Sequence, residues 1–92
     1  MGPVQSAIRA KLSAAFSPAR LEVVDESPRH AGHAGARPEG ETHFRVEIVA
    51  AVFAGRSRVE RQRLVYETLA EELKTRVHAL QLQVRTPDEA GV

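Results

Sequence analysis

Four histidines and no cysteine define the metal chemistry open to this chain of 92 residues. His30 and His33 fall in the stretch 27–41, which also holds Pro28, Gly32, Gly35, Pro38 and Gly40; His43 follows just beyond it, and His78 lies far downstream. Without thiolates, imidazole is the soft-metal ligand that remains, and a cysteine nucleophile, a disulfide framework and a self-contained thiolate site are all excluded. Fifteen residues are long for a link between two strands, and long links are either functional or simply mobile. Taken alone, the loop histidines read more often as polar filler. His78, at the end of a helix, reads as a cap for backbone carbonyls. It becomes a ligand only if the fold brings the 27–41 link beside it.

A second group with chemical potential is the arginine run Arg56, Arg58, Arg61 and Arg63 at the start of a helix. Cations at a helix N-terminus oppose its dipole. They could gather phosphate together with the first-turn amides, as a nucleic-acid surface would, or be neutralised by Glu60 and Glu67 on a solvated face. No aromatic residue is interleaved, so a base-stacking platform is not expected. With 13 basic against 12 acidic residues the net charge is +1, which excludes a generic polycation and requires any basic site to be local.

The elements that must position these groups follow from periodicity. Val4, Ile8, Leu12, Ala15 and Phe16 share one face of a helix over 3–16, stopped by Ser17-Pro18. Leu21 to Asp25 is a short strand. From Thr42 to about Ala50, Phe44, Val46 and Ile48 alternate with His43, Arg45 and Glu47, a strand with one buried side that turns His43 outward. Leu80, Leu82 and Val84 alternate in the same way with Gln81, Gln83 and Arg85. Between these strands a helix is predicted over 57–75, capped by Ser57 with Glu60. Its apolar stripe comprises Val59, Val65, Tyr66, Leu69, Leu73 and Val77. The stripe also takes in Gln62, which then needs a hydrogen-bond partner, and it leaves Leu64 exposed. Thr86-Pro87-Asp88-Glu89 has the form of a final helix start with room for one turn.

The expected fold is therefore a single α+β domain over 1–92. Its order is helix, strand, strand, helix, strand and a short last helix, with a three-stranded mixed sheet and the helices packed on one face. With three Phe, one Tyr and no Trp, an aliphatic core is expected. The longest apolar run, Ile48 to Ala54, is far short of a membrane span, and no signal-peptide pattern opens the chain. No membrane partner and a cytoplasmic, reducing setting are the default. A phosphate-cradling glycine loop, a serine nucleophile elbow and an HExxH site are all missing, so catalysis is not expected.

Four blocks, LEVVDESPRHAGH, GETHFRVEIVAAVFAG, RQRLVYETLAEEL and VHALQLQVRTPDE, closely resemble the BolA family in the same order, over roughly Ile8 to Glu89. The resemblance implies an α+β fold related to the class II KH domain and partnership with a monothiol glutaredoxin carrying the CGFS motif. It further implies a [2Fe-2S] cluster shared with that glutaredoxin and glutathione. The family's cluster ligands carry over to His30 and His78, with His33 as the substitute for His30, while the partner's cysteine and the glutathione thiolate supply the rest. Two imidazoles on one iron raise the potential relative to all-thiolate ligation. Some members are described as transcriptional regulators that bind duplex DNA, which would place Arg56, Arg58, Arg61 and Arg63 on nucleic acid. This chain departs from the family in reading Arg61-Gln62-Arg63 where Arg-His-Arg is common. It also lacks a Gly-x-x-Gly loop at Ala54-Gly55-Arg56-Ser57 and ends early.

Overall fold

The computed structural model describes residues 2–26 and 42–92. Helix α1 runs Pro3–Phe16, followed by β1 at Arg20–Asp25 and β2 at His43–Val49. After a 3₁₀ turn at Ala51–Phe53 come α2 (Arg58–Thr68), α3 (Ala70–Thr75), β3 (Ala79–Arg85) and the one-turn α4 (Pro87–Ala90). Pro3 opens α1, where its missing N–H is no loss. Ser17 closes it in the left-handed region (φ 46°), with its amide on the Ser13 carbonyl at 3.1 Å, and Pro18 prevents continuation.

The sheet order is β1-β2-β3. β1 and β2 pair antiparallel with Val23 opposite Val46, and β2 and β3 pair parallel with Val46 opposite Leu82. A parallel pair needs a crossover, here the α2–α3 unit. One side chain in two along each strand therefore meets the helical layer. Ile8 and Leu12 of α1, Val46 and Ile48 of β2, and Val65 and Leu69 of the crossover are all essentially inaccessible. Each large aliphatic side chain removed from water in this way contributes about 1.5–3 kcal/mol.

The core is not purely aliphatic. All three phenylalanines, Phe16, Phe44 and Phe53, are buried, and the rings of Phe16 and Phe53 lie 5.0 Å apart. Ala15, placed on the inner face of α1 by periodicity, is exposed. The crossover helix also differs from the predicted continuous 57–75 element, because it is interrupted at Leu69. The Thr68 hydroxyl donates to the Leu64 carbonyl at 2.9 Å, a side-chain competitor for the helical acceptor that bends helices. The packed face is rotated from the predicted stripe. Leu64 and Leu73 pack against the core beside Val65 and Leu69, while Val59 (61% exposed) and Tyr66 (40%) face outward. Behind this face, Lys11 of α1 reaches the largely buried Glu72 of α3 at 2.7 Å.

Candidate functional site

The first site builds up from the backbone of Thr42. This residue is buried just ahead of β2, and its carbonyl accepts from the amides of both His78 (2.7 Å) and Ala79 (3.2 Å). The parallel register sets His43 beside Ala79, so the residue before Ala79 comes alongside β2 at its first position. As a result the His43 and His78 rings lie 6.5 Å apart, inclined at 58°. The Thr42 hydroxyl lies 2.9 Å from His43 Nδ1 and orients that ring. His43 is half-buried and His78 is exposed.

The other side of β2 closes the same corner. The Glu26 amide donates to the His43 carbonyl at 2.8 Å. Both ends of the 27–41 stretch, Glu26 and Thr42, are thus tied to the two residues that carry the downstream imidazoles. His30 and His33 lie within that stretch, outside the described residues. Alternation along β2 is enough to turn His43 outward. That His78 lies beside it is hidden in the sequence, because only the parallel register brings the two together.

The second candidate lies at the far end of the sheet. Ser57 caps α2: the Glu60 amide donates to its hydroxyl (3.1 Å) and its own amide donates to the Glu60 carboxylate (2.9 Å). The Ser57 amide, then its hydroxyl, hold the Glu60 carboxyl below the usual carboxylate range, with Arg56 and Arg63 adding their charge. A carboxylate of the chain's own therefore occupies the electropositive end of the helix.

Arg61 is folded into the protein. Its Nε donates to the Arg56 carbonyl (3.0 Å) and its Nη1 to the Val84 carbonyl (3.3 Å). Its two terminal nitrogens also grip Glu89 at 2.6 and 3.2 Å. Only 13% of the Arg61 side chain is exposed. Glu89 completes a second capping box with Thr86, and Arg61 first, then the Thr86 amide, push its carboxyl down to about 2. Arg56, Arg58 and Arg63 remain exposed. Gln62 stands half-buried in the wall of a groove of about 520 Å³ beside β3.

The family model for BolA-like protein matches residues 12–89. The chain belongs to the BolA family. It is 54% identical over 86 residues to BolA-like protein 1 of Mus musculus, covering 94% of this chain and 60% of the mouse protein. It thus spans about three-fifths of that relative's length. It is 49% identical to the DNA-binding transcriptional regulator BolA of Escherichia coli (strain K12), covering 94% of this chain and 78% of that one. Among solved structures, BolA1 from Arabidopsis thaliana superposes with a TM-score of 0.86 at 44% identity, covering 97% of both chains. The BolA domain of SufE1 from the same plant gives 0.85 at 45% identity, covering 97% of this chain and 98% of that one. The BolA fold is thus the three-stranded mixed sheet with one helical layer described above. Among the described residues of this BolA-family chain, no helix is long and apolar enough to cross a membrane.

Proposed function

We propose that the chain is a non-enzymatic cytoplasmic adaptor that binds a monothiol glutaredoxin of the CGFS type. It would lend histidine ligands to a [2Fe-2S] cluster shared with that partner and glutathione, in iron–sulfur trafficking or iron-linked regulation. The observation that carries this reading is the hydrogen-bonded corner in which Thr42 and Glu26 fasten both ends of the histidine-bearing 27–41 stretch beside His78.

The donor set fits a shared cluster rather than a private one. The chain has no cysteine, and no group of three or more His, Cys, Asp or Glu among the described residues could hold a metal ion. The ligands assigned to this chain are His78 with His30, or His33 in its place. When bound, such a cluster supplies an electron-accepting centre whose potential is raised by imidazole ligation. The test is co-purification with a CGFS glutaredoxin and glutathione under anaerobic reconstitution, read by visible absorption and circular dichroism. A coloured heterodimer whose spectrum changes in His78→Ala is the expected result. An unchanged spectrum removes that ligand, and a colourless mixture removes the reading.

A second reading, a regulator that binds duplex DNA through the start of α2, is favoured by the likeness to the DNA-binding transcriptional regulator of Escherichia coli. Arg56, Arg58 and Arg63 offer the exposed charge, whereas Arg61 already holds Glu89. Replacing Arg58 and Arg63 should then lower the salt dependence of binding by roughly one per lost phosphate contact. Binding indifferent to both changes would exclude it.

A further inference from the structure

We propose that the free edge of β3 takes an extended, acidic segment of a partner protein as a fourth strand, seated in the groove between β3 and α2. In the order β1-β2-β3, β3 has a strand partner on one side only among the described residues. The Arg85 carbonyl accepts from Ala50 on the β2 side, and the Val84 carbonyl accepts from the Arg61 side chain on the other. Backbone direction alternates along a strand, so Leu80, Leu82 and Val84 present their N–H and C=O groups to the open edge. A row of this kind is a template for strand addition.

The charge of the groove selects the occupant. Of its charged lining, Arg45 pairs with Glu47 at 3.1 Å and Arg61 with Glu89, which leaves Arg58 and Arg85 without a carboxylate partner among the described residues, one on the helix side and one on the open face of the sheet. Arg61, between them, shows how this wall receives a carboxylate: it holds Glu89 through both terminal nitrogens. An extended chain with acidic side chains meets both the backbone row and the two free guanidinium groups. A nucleic-acid strand fits less well. Its phosphates only accept, leaving the carbonyls of Leu80 and Leu82 without donors, and no aromatic side chain lines the groove for base stacking.

The probe is a capped eight-residue peptide, Glu-Glu-Val-Val repeated twice, which as an extended strand carries Glu on both faces; it is titrated into the full chain and followed by amide NMR. The expected result is saturable movement of the Leu80, Leu82 and Val84 amides, with Overhauser contacts between peptide and β3. Arg58→Glu should weaken binding about tenfold, as loss of a cross-interface charge pair does. Peptides N-methylated on one alternating set of amides should lose binding, and those methylated on the other set should keep it. Equal tolerance of both sets, indifference to Arg58→Glu, or no movement at millimolar peptide overturns the proposal. So does a single-stranded oligonucleotide that displaces the peptide while moving α2 signals and leaving the β3 amides in place.

Discussion

At one end of the sheet, His78 is placed by its own backbone amide on the Thr42 carbonyl and His43 by the neighbouring hydroxyl; at the other, Arg61 is placed by its side chain, through four hydrogen bonds to Arg56, Val84 and Glu89. Both clusters look like chemistry when read along the chain. The first keeps two imidazoles at the mouth of a long link, whereas the second commits its central guanidinium to docking α4. The number of charged residues in a stretch therefore says little about how many can meet a ligand.

The largest test of this contrast asks whether the two ends are one cooperative unit. Phe53→Ala empties a site packed against Phe16 near the arginine end and should cost about 3–5 kcal/mol. Because β2 runs between the two ends, the signals of His43 and His78 should collapse at the same reduced denaturant midpoint as those of α2. Separate midpoints would mean that the ends fold independently. A smaller change is confined to one end: Ser57→Ala removes a capping box and should cost about 1 kcal/mol, leaving the histidine resonances unmoved. Its counterpart is Thr42→Val, which keeps the buried shape but removes the hydroxyl beside His43 Nδ1. A loss of about 0.5–1.5 kcal/mol and a shifted His43 ring signal, with α2 undisturbed, are expected. If the ring signal stays in place, Thr42 does not orient it.

The smallest effect is a pH dependence. Glu89 has its carboxyl lowered from 4.5 to about 2 in the folded chain, so between those values the unfolded chain binds more protons and stability rises with pH. The contribution is present above about pH 4.5 and lost as pH falls through about 2. Acid titration should therefore loosen α4 before it disturbs β2. In Glu89→Gln, α4 should be loosened already at neutral pH and lose this acid step, as read from the α4 amide signals.

Local patterns made most of the fold legible. The helix over 3–16, the alternation in β2 and β3, and the Ser57/Glu60 and Thr86/Glu89 starts are all short-range signals, and the structure has them where they were predicted. The rotation of α2 was not legible. Val59 and Tyr66 are apolar and lie at helical spacing from Val65 and Leu69, but the sheet meets the side that carries Leu64, and only tertiary packing chooses between the two. The interruption at Leu69 turns on one hydroxyl of Thr68, too small a signal against a strong helical pattern. Of the candidate residues, the engagement of Arg61 depended on Glu89, far along the chain, and the approach of His43 to His78 depended on the parallel register.

That register also divides the imidazole pair by mobility. His43 begins the central strand, paired with Ala79 on the β3 side and held on the β1 side by the Glu26 amide on its carbonyl, whereas His78 sits in the turn before an edge strand. Central strands open only with the whole domain, while turns and edges open locally at much lower free energy. One ring is therefore a fixed post and the other an adjustable one. A partner of slightly different shape would be accommodated by movement at His78, with the sheet left as it is.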